Sequence, residues 1–107
     1  MRRVVVTGMS ATSPIGNTWP EVLANLQAGN SGIVRQDDWD RYKDLRTRLA
    51  APVKDFSTPS HYSRKSIRGM GRVALMATRA SELALEDAGL LNVDQIKTGN
   101  TGVQYDP

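Results

Sequence analysis

The chain has 107 residues, 39% of them hydrophobic and 23% charged, and no cysteine. That size and mixture suit one soluble domain with at most two layers around one core. The missing thiols exclude disulfide frameworks, thiolate metal sites, iron–sulfur clusters and a cysteine nucleophile, and leave the redox compartment open. With 14 Lys and Arg against 11 Asp and Glu the net charge is +3, and only 6% of residues are aromatic, so nucleic acid is not the expected partner.

The first predicted element is a strand. Val4, Val5 and Val6 are consecutive β-branched residues bounded by turn signals, the pattern of a parallel strand buried on both faces. The run is far too short for a signal-peptide core, and nothing elsewhere approaches the roughly 18 apolar residues of a membrane span. A cytoplasmic location without a membrane partner is expected. Thr7 to Gly16 reads as a loop, with Pro14 denying regular pairing.

Thr18-Trp19-Pro20-Glu21 matches a capping box with Pro in the first turn. Trp19, Val22, Leu23 and Leu26 then share one helical face, and Gly29 ends the helix. Periodicity fails from Ser31 to Pro59, within an irregular insertion at about 31–62 expected to hold one helical turn around Trp39 to Leu45 and a short extended piece at Ala50 to Val53. An irregular stretch of that length is more comfortable lying over a larger body than in a small self-sufficient domain.

A basic segment begins at Ser63, and the strongest helix is predicted from about Met70 to Ala88. Its inner face is Val73, Met76, Ala77, Ala80, Leu83, Ala84 and Ala88, where three of the four alanines invite close approach to a neighbouring sheet or helix. Arg79 and Glu82 are spaced to pair. Gly89-Leu90 reads as a Schellman ending. After a turn near Asp94 to Ile96, Thr101 to Tyr105 is predicted as a second strand. A β-α-α-β order makes at most part of a parallel sheet, so the α/β chain is expected to be incomplete as an independent domain.

Most local chemical patterns fail. The Val-Val-Val-Thr-Gly opening lacks the glycine spacing of a dinucleotide-binding turn, because Thr12 and Pro14 stand where glycines would be needed. No Gly-Lys-Ser/Thr loop exists, and no cofactor is expected. Ser10 and Ser13 do not lie in a nucleophile elbow. His61, the single histidine, sits in the polar stretch Ser60-His61-Tyr62-Ser63 and reads as a solvated loop residue. One histidine and no cysteine make no metal site, although Asp37 and Asp38 suit weak cation binding. The better signal is Arg64, Lys65, Arg68 and Arg72, with no acidic residue from Ser57 to Ser81. On a helix Arg64, Lys65 and Arg68 fall at i, i+1 and i+4, a compact patch for an anionic partner; the alternative is a solvated helix terminus.

Taken in order, these segments resemble one family, the β-ketoacyl-(acyl carrier protein) synthases of fatty-acid and polyketide synthesis, of the elongating type. Arg3-Val-Val-Val-Thr-Gly-Met-Ser-Ala-Thr-Ser-Pro-Ile-Gly-Asn17 looks like the family's opening strand and loop. Leu26-Gln-Ala-Gly-Asn-Ser-Gly-Ile33 is similar to the end of its first helix and the following turn. Arg68-Gly-Met-Gly-Arg72 and Ala84-Leu-Glu-Asp-Ala-Gly-Leu90 resemble its next long helix, and Thr98 to Tyr105 its following strand.

The resemblance implies the thiolase-like layered fold, with residues 1–107 as the N-terminal portion of its first half, and a homodimer in the full-length family. It implies decarboxylative condensation of acyl and malonyl thioesters, in which a cysteine carries the acyl group and, in elongating members, two histidines assist decarboxylation. None of those catalytic residues is in this sequence, and His61 matches neither histidine, so the chain alone is expected to be inactive. It also implies that Arg64, Lys65 and Arg68 contact the acidic acyl carrier protein. Ser10 and Gly71 depart from the family pattern as subfamily variation does; Asp106-Pro107 departs in a way that suggests truncation, a frameshift or an incomplete gene model. The alternative is a natural short chain acting as a non-catalytic module that binds a carrier protein or a full-length synthase.

Overall fold

A computed structural model describes residues 2–104. They group into two compact units: Ala11–Phe56, and the first ten residues together with the segment from Ser57 onward.

In the unit Ala11–Phe56, the loop before the first helix closes on itself through a bridge, Ser13 N donating to Gly16 O at 2.9 Å and Gly16 N to Ser13 O at 3.2 Å. The first helix, α1, spans Trp19–Ala28. Its capping box is displaced by one residue. Thr18 is extended but its side chain caps nothing, and the Glu21 carboxylate reaches back past it to accept from Asn17 N at 2.9 Å. Asn25 donates to Ile15 O at 2.6 Å, tying loop to helix. At the far end Gly29, at φ 70°, lets its own N–H and that of Asn30 reach the Leu26 and Asn25 carbonyls, the expected glycine ending. The expected apolar face is only partly covered: Val22 is buried at 8% exposure, whereas Trp19 and Leu26 remain 62% and 58% exposed.

The irregular stretch contains a hairpin that sequence periodicity does not reveal. Strands β1 (Val34–Arg35) and β2 (Leu49–Ala50) pair antiparallel, Val34 opposite Ala50 and Arg35 opposite Leu49. The extended piece thus begins one residue before the predicted Ala50 and does not run to Val53. The helical turn is a 3₁₀ segment at Asp37–Arg41, earlier than the predicted Trp39 to Leu45. Charge explains both shifts. Arg35 bonds Asp37 at 2.8 Å and Asp40 at 3.0 Å, and Arg48 bonds the same Asp40 at 3.0 Å while donating to the Tyr42 and Leu45 carbonyls. Two-residue strands are marginal alone, and these side chains hold the connection between them. Asp37 is thereby committed to Arg35 rather than left to a cation.

In the other unit, α2 (Arg64–Ile67) and α3 (Arg72–Asp87) follow one another. The predicted single start at Met70 gives way to a break: Met70 N bonds Ile67 O at 2.9 Å, and Gly71, with ψ near 178°, starts α3 from an extended conformation. The end of α3 is as expected. Gly89 at φ 71° places Leu90 N on Leu85 O at 2.8 Å and its own N–H on Glu86 O at 3.0 Å, the two bonds of a Schellman motif. A 3₁₀ turn at Asp94–Thr98 follows.

The alanine lane of α3 does receive a close neighbour, and the neighbour is backbone. Met9 N donates to Asp87 Oδ2 at 3.0 Å and Ser10 Oγ to Ala80 O at 2.5 Å, so the segment around Gly8 crosses α3 over Ala80, Ala84 and Ala88. A Cβ on Gly8 would lie 2.3 Å from the Ala84 carbonyl oxygen. Val73, predicted to face inward, is 61% exposed, because it lies about two turns before Ala80, the first residue this segment covers.

The two expected strands are not formed among the described residues. Val4, Val5 and Val6 are 95%, 66% and 79% exposed and pair with no described strand. A strand of this composition is stabilised by ladder bonds on both sides, and the sole two-stranded sheet described is β1–β2. Residues 101–104 are likewise irregular, and Tyr105, the end of that predicted strand, lies outside the described residues.

Candidate functional site

The basic segment is built by α2. Ser63 is its N-cap: the Ser63 hydroxyl accepts from Ser66 N at 3.1 Å and shares a 2.6 Å bond with the Ser66 hydroxyl. Ser is favoured here because its short side chain reaches an amide donor that the first turn leaves unbonded. Arg68 keeps helical backbone angles, φ −53° and ψ −36°, so Arg64 and Arg68 stand one turn apart on the same side and Lys65 adjoins them. All three side chains are exposed, and none forms an ion pair with a described residue. The predicted patch is thus assembled on one short element, with its charge open to solvent.

The loop before α2 and the middle of α3 share a cluster that sequence periodicity does not reveal. His61 Nε2 bonds Glu82 Oε2 at 2.8 Å, and the other oxygen, Oε1, accepts from Arg79. The Glu82 side chain is only 18% exposed, whereas that of His61 is 58% exposed. Tyr62 packs edge-on against the His61 ring, with centroids 4.8 Å apart. Its hydroxyl is shielded from water and makes no hydrogen bond of good geometry. The bond from His61, and then Arg79, holds the Glu82 carboxyl below its usual range, although burial pushes the other way. Burial and the nearby Glu82 charge push the Tyr62 phenol up. Glu82 is the first acidic residue after the basic run, and because His61 and Arg79 occupy its oxygens it does not neutralise Arg64, Lys65 or Arg68. The pairing of Arg79 with Glu82 was legible as an i, i+3 spacing; His61, 21 positions away, was not.

In the unit Ala11–Phe56 an open cleft of about 560 Å³ is lined by Ser13, Asn17, Glu21, Asn25, Lys54 and Asp55, among others. Its polar groups are largely spent on the fold: Glu21 holds Asn17 N, and Asn17 Nδ2 donates to Lys54 O at 3.0 Å. Ser13 donates to Gly16 O at 3.0 Å and has no base beside it. Among the described residues no three His, Cys, Asp or Glu side chains gather as a metal site would require, and no helix is long and apolar enough to cross a membrane.

Residues 1–105 match the family model described as the beta-ketoacyl synthase N-terminal domain. The chain belongs to the beta-ketoacyl synthase family. It is 40% identical over 103 residues to 3-oxoacyl-(acyl-carrier-protein) synthase 1 of Haemophilus influenzae, an alignment covering 96% of this chain and 25% of that protein. It is also 40% identical over 102 residues to 3-oxoacyl-(acyl-carrier-protein) synthase 2 of Vibrio cholerae, covering 95% of this chain and 24% of the relative. A solved beta-ketoacyl synthase from Burkholderia phymatum superposes with a TM-score of 0.86 at 47% identity, over 92% of this chain and 24% of that one. The chain therefore spans about a quarter of the length of the relatives it matches. The family and the fold class agree with the resemblance read from the sequence: this is a mixed α/β part of a thiolase-like synthase fold.

Proposed function

We propose that these residues form the N-terminal part of a 3-oxoacyl-(acyl carrier protein) synthase acting in fatty-acid biosynthesis, and that Arg64, Lys65 and Arg68 receive its acidic carrier protein. The observation that carries this reading is the exposed, unpaired cationic cluster on α2, within a chain that matches the family over residues 1–105. In the proposed reaction a thiolate takes the acyl group from its carrier, since sulfur is a strong nucleophile at neutral pH. The malonyl thioester then loses carbon dioxide, and the resulting carbanion attacks the bound acyl carbonyl, forming the carbon–carbon bond as the thioester breaks and the thiolate leaves. The chain has no cysteine and one histidine, so its share of that work is delivery: it holds the carrier while residues elsewhere in a complete enzyme make the bond. In the same reading residues 31–62 are an irregular insertion in the first thiolase-like half, and the enzyme is a cytoplasmic homodimer.

Charge complementarity of this kind raises the rate of productive encounter and is screened by salt. Replacing Arg64, Lys65 and Arg68 together by Ala in a complete synthase carrying this sequence is expected to weaken carrier-protein binding about tenfold at low salt. It should also flatten the dependence of affinity on ionic strength. Titration calorimetry at two salt concentrations measures both. Unchanged affinity at low salt would overturn the proposal.

A further inference from the structure

The basic cluster sits on a helix of only four residues, Arg64–Ile67, too short to hold its own orientation. Its far end turns toward α3 through the Met70 N to Ile67 O bond, and three contacts restrain its near end. Ser63 caps its start at Ser66 N, Tyr62 N closes the preceding turn on Pro59 O at 3.1 Å, and His61 reaches across 21 positions to Glu82 at 2.8 Å. The first two are local and travel with the loop. The third ties the loop to the middle of α3, on a carboxylate whose second oxygen is held by Arg79. The Tyr62 ring, edge-on to His61, limits how far the imidazole can turn. We infer that His61 and Glu82 form a clamp that fixes the loop bearing Arg64, Lys65 and Arg68 to α3, making His61 a positioning residue for the acidic partner. The inference rests on the docking role proposed above and adds the residue that pre-orders it: a loop already anchored loses less freedom when a partner binds, and so binds more tightly with the same contacts.

The test is carried out in a complete synthase carrying this sequence. His61→Ala and Glu82→Ala, singly, should each weaken carrier-protein binding about three- to tenfold, the range expected for freeing an ordered loop or side chain. The double variant should be no weaker than either single one, because both remove the same link. In His61→Ala the salt dependence should keep its wild-type slope, since the three cations remain. His61→Gln, whose amide can donate to Glu82, should restore affinity. Hydrogen exchange at Ser66 and Ile67 should quicken in His61→Ala without any partner present, which reads the clamp directly. Wild-type affinity in His61→Ala, alongside a weakened Arg64/Lys65/Arg68 triple variant, would overturn the clamp and leave the docking role standing. A triple variant that binds normally would instead overturn the docking role itself. A shallower salt slope in His61→Ala would also overturn the clamp, because it would make His61 a contact charge.

Discussion

Gly8→Ala isolates the packing of the N-terminal segment on α3. The added Cβ would stand 2.3 Å from the Ala84 carbonyl oxygen, 2.7 Å from Ala88 N and 2.8 Å from Ala88 Cβ. Two of those three are helix backbone, which cannot swing aside as the end of a long side chain can. The segment must therefore lift, and lifting stretches the Met9 N to Asp87 bond of 3.0 Å and the Ser10 Oγ to Ala80 bond of 2.5 Å. Overpacking of this order costs about 1–3 kcal/mol, and each weakened hydrogen bond adds about 0.5–1.5 kcal/mol, toward the low end because both are exposed. The expected loss in a complete synthase carrying this sequence is about 2–4 kcal/mol, read as a lower thermal midpoint and as faster hydrogen exchange at Met9. Gly69→Ala is the control: nothing lies within 4 Å of its Cβ position and its φ is not positive, so stability should stay within about 0.5 kcal/mol of wild type. Wild-type stability and Met9 protection in Gly8→Ala would refute the close approach.

Gly89→Ala should destabilise by about 1–2 kcal/mol, the cost of placing a Cβ in the left-handed region, because Gly89 sits at φ 71° in the Schellman end of α3; Gly89→Asn should cost less, and thermal denaturation ranks the two. Glu82, whose carboxyl is held below its usual range chiefly by His61 and then Arg79, should contribute stability at neutral pH. That contribution persists above the unfolded-state value and is lost as pH falls through the lower folded one. Glu82→Gln should thus lower the urea midpoint at pH 7 and converge on wild type in acid below the ordinary carboxylate range; a gap that stays constant with pH would show that Glu82 acts through packing alone.

The legible parts of the fold are those whose causes are local. Gly29 and Gly89 both end helices in the left-handed conformation, and each could be named in advance because no other residue adopts that geometry so cheaply. The α3 face was legible from its alanines, though the sequence pointed to a sheet or helix as neighbour and the structure supplies the extended backbone around Gly8. What was not legible depends on distant charge. The β1–β2 pairing is held by Arg35 and Arg48 meeting on Asp40, a link without periodicity, and the strands it joins are too short for alternation to show. The site divides the same way. Arg64, Lys65 and Arg68 form a run that any charge count finds, whereas the bond from His61 to Glu82 exists only once the loop turns back on α3.

The triple valine has the composition of a buried strand without the neighbours that such a strand requires. Val4, Val5 and Val6 have the composition of a strand flanked on both sides, yet they are largely exposed, and Val22 is the sole apolar side chain below one-tenth exposure among the described residues. Little apolar surface is therefore fully buried among the described residues. Half-buried faces such as that of α3 add to this, but the exposed Trp19, Leu26, Ile33, Val73 and the three valines are apolar surface on which further stabilisation depends. The solved synthase that this chain matches over 92% of its length is about four times as long. Further layers over those side chains would bury that apolar surface, and a neighbouring strand would supply the ladder bonds that Val4 to Val6 lack. The cationic cluster needs no such cover in the clamp proposed above, where Ser63, His61 and Glu82, all within these residues, hold the start of α2.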